Sequence, residues 1–588
     1  MSQRTEPRVE PKSELRDGMR IDWDVPIQVD DGLVLRADVF RPTTDGRYPV
    51  ILSYGPYGKG LAFQEGYPEQ WKRLAGEHPE VLEGSSGAYQ NWEVVDPEKW
   101  IPHGYVCVRV DSRGAGRSPG FLDPFSPREA RDLYHCIEWA GERPWSNGRV
   151  GLAGISYYAM NQWHVAPLRP PHLAAMVVWE GAADWYRDVN RHGGILCDFL
   201  VNWFGKQVTT VQHGLGERGP VSRVTGETVA GPETLPDEEL ASSRVDFLSL
   251  LRAHPLDDQF YRARTPDFSK IVTPLLSAGN WGGHGLHLRG NVEGFTRSAS
   301  SQKWLEIHGG EHWTGFYTAY GAALQQRFLD HFLKGVDNGW DREPPVLLQV
   351  RTVDGFVERK EHEWPLARTR WTKLHLDADD LSLAWKPVAG EAGAEFEATS
   401  DEGFTFTTAP LEQETEITGP VALRLFISSS TSDADLFVTL RVFGPDEQEV
   451  TFQGALDPHQ PIAQGWLRAS HRRLDPELST HYRPYHTHSE EEPLEPGRVY
   501  PVDLEIWPMS LVIPPGYRIA LSVQGKDFER PGSGARMSTF VAEMRGSGPF
   551  LHTDPVDRPP GLLEGRTTVH TGGEHDSYLL LPVVPPPS

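Results

Sequence analysis

Cysteine is scarce: Cys107, Cys136 and Cys197 are the only three in 588 residues. That excludes a disulfide framework, and since two of them fall in predicted core elements, buried free thiols are the default. Long hydrophobic runs are missing as well. No stretch approaches the length of a membrane span, and the start, Met1-Ser-Gln-Arg-Thr-Glu-Pro, has no hydrophobic signal core. The expectation is a soluble, cytoplasmic protein without a membrane partner. Basic charge is in short supply, with 57 Lys and Arg against 82 Asp and Glu and a net charge of −25. A general nucleic-acid role is therefore not expected, because phosphate binding needs a basic surface. Zinc-type ligand spacing is absent too: His481, His486 and His488 sit on a Pro-rich loop without paired ligands. Neither a metal nor a cofactor is expected.

What the chain has is core-forming material, 38% hydrophobic residues with 19 Trp and 24 Phe. At this length two or three domains are expected. The most informative stretch is 149–166, which reads as a strand turning sharply into a helix with Ser156 at the corner. Such a turn lifts the serine hydroxyl clear of the sheet and leaves the Tyr157 N–H at a helix start, free to donate to an oxyanion. Of the G-x-S-x-G pattern, Gly154 and Ser156 match, Tyr158 stands in the last glycine position, and a small residue follows at Ala159.

The flanks support this reading. Ser126, Pro127 and Glu129 form a capping box, and Leu133, Cys136, Ile137 and Ala140 repeat as the apolar stripe of a helix on a sheet. Apolar runs from Tyr48, Tyr105, Leu173, Thr273 and Lys303 read as parallel strands, and Ala322–Leu333 as the closing helix. Asp30-Asp31-Gly32 marks a hairpin between antiparallel strands. The loop Asp111-Ser-Arg-Gly-Ala-Gly-Arg-Ser-Pro-Gly fails as a dinucleotide site, since Pro119 holds the third glycine position. Strand, helix, strand, elbow, helix is the α/β-hydrolase order. Residues 58–100 form a long excursion, 185–265 lack the strand rhythm, and short strands with Gly, Pro and Asp turns run from about Pro345 onward.

These residues resemble the CocE/NonD hydrolases, the group around cocaine esterase, which is related to α-amino-acid ester hydrolases and X-Pro dipeptidyl-peptidases. The resemblance covers nearly the whole chain. It rests on Asp31-Gly-Leu-Val-Leu-Arg-Ala-Asp-Val-Phe-Arg-Pro, the 111–120 loop, Gly154-Ile-Ser-Tyr, Phe332-Leu-Lys-Gly and Val512-Ile-Pro-Pro-Gly-Tyr-Arg-Ile-Ala-Leu. It implies an α/β-hydrolase domain in two parts, 1–184 and 266–344, with a helical cap inserted at 185–265. An all-β jelly-roll sandwich at 345–588 follows. The function it implies is that of a cofactor-independent serine hydrolase acting on a small ester or activated amide through an acyl-enzyme on Ser156.

Two histidines follow the last core strand, His308 and His312. The family pattern aligns its catalytic histidine with His312 and leaves His308 structural. The family also takes an oxyanion donor from a tyrosine hydroxyl in the loop that matches Gly55-Pro-Tyr57, with Tyr54 a weaker alternative and the Tyr157 N–H as the second donor. The acid departs from the pattern. The family places an aspartate after a Gly-Trp, but here Gly282 or Gly283 occupies that place in Ser277-Ala-Gly-Asn-Trp-Gly-Gly-His. The preceding strand ends in Trp179-Glu180-Gly-Ala-Ala-Asp184, so Glu180 ranks first and Asp184 second, ahead of Glu293 and Glu311. Trp71, Tyr89, Trp92, Trp185 and Tyr186 are candidates for the pocket lining. An X-Pro dipeptidyl-peptidase or amino-acid ester acylase is the runner-up, with Glu69, Glu77, Glu80 and Asp198 as acids for a substrate ammonium. A non-catalytic binding protein is the third reading. The oligomeric state is open, a homo-oligomer included.

Overall fold

The computed structural model describes residues 12–400 and 403–586; the N-terminal stretch read above for a signal core lies outside them. Three strands, β1 (Lys12–Arg16), β2 (Met19–Gln28) and β3 (Val34–Pro42), pair antiparallel, and β2 and β3 turn at Gly32, whose φ of +87° suits glycine. The apolar runs follow as strands buried along most or all of their length. They are β4 (Tyr48–Gly55), β5 (Val106–Asp111), β6 (Ser146–Ile155) and β7 (Leu173–Trp179). A two-residue hairpin, β8 (Arg191–His192) and β9 (Ile195–Leu196), stands apart. Then come β10 (Leu275–Asn280), β11 (Lys303–His308), β12 (Val346–Thr352) and β13 (Gly355–Glu361).

Across the sheet the order is β1-β2-β3-β5-β4-β6-β7-β10-β11-β12-β13, parallel from β5 to β12. β4 lies between β5 and β6, so the strand order reverses there. In open α/β sheets the crevice at the carboxyl ends beside such a reversal is the usual binding place. Tyr57, Ser156 and Glu180 all follow the carboxyl ends of strands at or near it.

The helix Pro127–Gly141 starts as read, with Ser126 Oγ accepting from the Glu129 N–H at 3.4 Å. The return bond differs from a capping box. Glu129 accepts from the Phe125 N–H (2.7 Å) and from the Tyr157 hydroxyl, and so ties this helix to the elbow. The closing helix spans Ala319–Leu329 and continues with a wider turn over Asp330–Lys334.

Residues 185–265 carry the small hairpin and short helices, such as Phe199–Trp203 and Phe247–Ala253. Beyond β13 the strands pair mostly antiparallel. Thr415–Ser429 pairs with Tyr500–Ile513 past an irregularity at Gly419, over an apolar core separate from that of the first sheet. The two regions meet where Thr352 of β12 pairs with Val512.

The 111–120 loop is a structural brace. Asp111 accepts from the backbone N–H groups of Lys59 (2.6 Å) and Arg117 (2.8 Å), and a Cβ on Gly116 would sit 2.2 Å from that carboxylate. Lys59 itself is buried against Asp24 (2.7 Å) and Asp38 (2.8 Å). Buried charge is tolerated only when paired, and this pairing fixes the loop that carries Tyr57.

Candidate active site

The chain leaves β6 at Ile155 and enters the helix Tyr157–Val165 within one residue. Ser156 at the corner has φ +55° and ψ −112°, a conformation that costs a non-glycine residue of order 1–3 kcal/mol. Its N–H donates to the carbonyls of Trp179 (3.1 Å) and Glu180 (3.2 Å), which holds the strained turn against the end of β7. The departure from the glycine pattern has a packing reason. A Cβ on Gly154 would lie 2.4 Å from Cβ of Tyr158, and one on Gly55 would lie 2.6 Å from the Tyr158 ring. Those two glycines make room for a tyrosine where the pattern has glycine. Ala159 is small because it packs on Gly181.

Ser156, Tyr57, Glu93, His287 and His312 face one cleft of about 500 Å³. Its apolar walls include Trp92, Phe199, Trp203, Leu456, Phe540 and Phe550, so the C-terminal strand region shapes the cleft directly.

The histidine and acid are joined. His312 Nδ1 lies 2.7 Å from Glu180 Oε2, and Glu180 Oε1 accepts from His308 Nε2 (3.1 Å) and Asn280 Nδ2 (3.1 Å). His308 Nδ1 in turn lies 2.8 Å from Glu306 Oε2. On the cleft side, His312 Nε2 meets Glu93 Oε1 at 3.0 Å. The result is a buried chain of alternating groups, Glu306, His308, Glu180, His312 and Glu93. Glu180 and Glu93, like Ser156, have left-handed backbones, with φ of +47° and +63°.

Electrostatics follow from this chain. Burial alone would raise Glu180, but the charge on His312 and hydrogen bonds from both histidines outweigh it and hold the carboxyl well below its ordinary range. Burial pulls His312 down, yet the Glu180 charge and its hydrogen bonds to Glu180 and Glu93 lift it to about 10. His308 rises to about 9 against the same burial cost, through the Glu306 charge and the Glu180 hydrogen bond. Burial pushes Glu93 up to about 7 despite its bond to His312. His312 is thus held between two carboxyl groups, both of which favour its protonated form.

The other sequence candidates lie as follows. Tyr57 accepts from Trp203 Nε1 at 2.9 Å, and burial keeps its phenol far above its ordinary range, so it stays an O–H donor. The Tyr157 side chain points to Glu129, away from the cleft chemistry, while its N–H is at the first helical position. Asp184 caps the next turn through the Tyr186 and Arg187 N–H groups and pairs with Arg187 at 2.9 Å. Glu293 pairs with Arg483, and Glu311 with Arg73. Of the five aromatics considered for the pocket, Trp92 lines it and the other four do not; Trp71, for one, faces a different depression.

At Gly282, one of the two places where the family aspartate would stand, packing leaves no room for a side chain. A Cβ on Gly282 would lie 2.4 Å from Cα of Gly454, because the 454–455 backbone crosses there. Ala455 donates its N–H to the Gly282 carbonyl and accepts from the His312 N–H. Backbone thus fills the place of a side chain, and Asn280 turns instead to Glu180. Glu93 is the residue that sequence reasoning missed. Its signal was an acid inside the run Asn91-Trp-Glu-Val-Val, where a lone carboxylate has no solvent-facing neighbour.

Comparison with known proteins follows the same two regions. Residues 31–314 match the model of the X-Pro dipeptidyl-peptidase (S15 family), and 338–580 that of the X-Pro dipeptidyl-peptidase C-terminal non-catalytic domain. A solved CocE/NonD family hydrolase from Staphylococcus aureus is 30% identical with a TM-score of 0.84, covering 99% of this chain and 97% of its own. A cocaine esterase from Rhodococcus sp. is 22% identical over 95% of this chain and 98% of its own length. A solved α-amino-acid ester hydrolase, 17% identical with a TM-score of 0.67 over 99% and 100% of the two chains, shares the fold.

Proposed function

The chain belongs to the CocE/NonD family and is a serine hydrolase, and on that premise we propose that it cleaves carboxylic esters through an acyl-enzyme on Ser156. The observation that carries this reading is Ser156 at a strained strand-to-helix corner, facing one cleft with a histidine held by Glu180. In its neutral form His312 takes the Ser156 proton as Oγ attacks the ester carbon, then returns it to the departing alkoxide. Glu180 holds the ring through Nδ1 and stabilises the imidazolium. The Tyr57 hydroxyl and the Tyr157 N–H receive the charge on the tetrahedral oxygen. Water then repeats the sequence on the acyl-serine. No metal or cofactor enters these steps. In the same reading, 185–265 is a helical cap over the cleft, and the strands beyond 345 form a jelly-roll sandwich.

The test is substrate choice. p-Nitrophenyl acetate and butyrate are expected to turn over with a burst of one acyl group per chain, and an X-Pro-anilide to turn over far more slowly. The reverse ranking would replace the esterase reading with the dipeptidyl-peptidase one. One observation favours an amino-acyl substrate. Of Glu69, Glu77, Glu80 and Asp198, none lines the cleft, but Glu93 does, as a buried carboxylate beside His312.

Glu93 also sets a pH dependence. Its carboxylate stabilises the His312 imidazolium, so removing that charge lowers the histidine pKa. Glu93→Gln is expected to move the acid limb of the kcat/KM profile for an aryl ester to lower pH, by about one pH unit or more. An unmoved limb would mean that Glu93 does not influence the base.

A further inference from the structure

Away from the Ser156 cluster, three buried donor atoms converge from distant parts of the chain. They belong to His192 in β8, Cys197 just past β9, and His552 in the C-terminal region, and all lie within 4.8 Å of one another. The three residues are 1%, 0% and 0% exposed.

Hydrogen-bond acceptors lie at the far nitrogen of each ring. His552 Nδ1 lies 2.8 Å from Asp527 Oδ1, and His192 Nε2 lies 3.2 Å from the Asp188 carbonyl. Both partners only accept, so each favours a hydrogen on the nitrogen it faces. Asp527 is further committed as an acceptor by the His552 N–H, 2.7 Å from its other oxygen. The two remaining nitrogens, His192 Nδ1 and His552 Nε2, face each other at 2.9 Å, and in that tautomer pair each carries a lone pair. Two neutral imidazoles repel in that arrangement, and a cation between them removes the repulsion. It is either an added proton or a metal ion.

The thiol separates the two. A shared proton needs no third donor, whereas two imidazoles and one sulfur are a ligand set for zinc. Cys197 Sγ also accepts from the Phe199 N–H, and the Gly285 carbonyl is a second hydrogen-bond acceptor beside the His192 ring. The carboxylate behind His552 is the outer partner that metal-bound imidazoles usually have. We propose that His192, Cys197 and His552 bind one zinc-type divalent ion. Zinc holds nitrogen at about 2.0–2.1 Å, which spaces two tetrahedral nitrogen ligands roughly 3.3–3.4 Å apart, so the gap opens by about half an ångström on binding. Cys197 gives up its proton to solvent. One Zn²⁺ and one thiolate then leave a net single positive charge near Asp527.

The ion clamps two walls of the cleft. Phe199 is two residues beyond Cys197, Phe550 is two before His552, and their rings meet at 5.0 Å while lining the cleft. The binding site itself does not depend on the esterase reading.

The test is metal content of the full chain made in zinc-supplemented medium, together with protein refolded in the presence of Co²⁺. About one metal per chain is expected, with a sulfur-to-cobalt charge-transfer band that Cys197→Ser abolishes and a content that His552→Ala lowers at least about tenfold. Because either variant can fail to fold, unmodified chain refolded with zinc is compared with chain refolded with chelator. The zinc form is expected to unfold at higher temperature and to show a lower KM for p-nitrophenyl butyrate at similar kcat. No bound metal in isolated and refolded protein overturns the proposal and leaves a proton shared by two imidazoles. Metal retained undiminished in both variants overturns it as well.

Discussion

Ser156→Ala is expected to lower kcat/KM for p-nitrophenyl butyrate by about ten-thousandfold to a millionfold, with the unfolding temperature unchanged. Alanine removes one oxygen and nothing else. The strained turn is held by the backbone bonds to the Trp179 and Glu180 carbonyls and by the packing of Gly154 under Tyr158, none of which uses Oγ. The Tyr57 hydroxyl, the Tyr157 N–H and the cleft therefore survive, and in the proposed mechanism they account for whatever turnover remains. A fluorophosphonate probe should add to the peptide containing Ser156 in the parent chain and leave the variant unlabelled. Parent-level turnover by the variant would remove Ser156 from the mechanism and, with it, the acyl-enzyme.

The second large effect concerns the acid. Glu180→Gln is expected to cost about a thousandfold to ten-thousandfold in kcat, the scale on which a histidine loses its orienting carboxylate. The amide keeps the shape. It cannot stabilise the imidazolium, and its NH₂ can turn to His312 Nδ1, which favours a hydrogen on Nε2 and blocks that atom as a base. Asp184→Asn is the internal contrast. Asp184 caps a turn and pairs with Arg187, so its loss should lower the unfolding temperature and leave kcat within a fewfold. Equal kcat losses in the two variants would mean that Glu180 acts only through structure. A loss confined to Asp184→Asn would transfer the acid role to Asp184.

The metal proposal runs against the sequence expectation of no metal site, and the reason is distance along the chain. Ligand spacing can be recognised when the ligands are close in sequence. Cys197 and His552 are separated by more than half of the chain, and no local pattern joins them.

The same contrast divides the rest of the molecule. The sequence by itself determined the parallel strands, the hairpin at Gly32, the helix capped by Ser126, and Ser156 at its corner. Each of these is written in residues near one another, through apolar periodicity, caps and turns. Position after the last core strand narrowed the histidine to two, and the family resemblance pointed to His312. What it left open was how those two share one acid, since His312 and His308 meet opposite oxygens of Glu180. Only the tertiary structure decided which carboxylate stands behind His312, that backbone from 454–455 leaves no room for a side chain at Gly282, and that Glu93 closes the cleft side of the chain. Those outcomes depend on segments far apart in sequence being packed together, and packing over such distances leaves no periodic trace in any one of them.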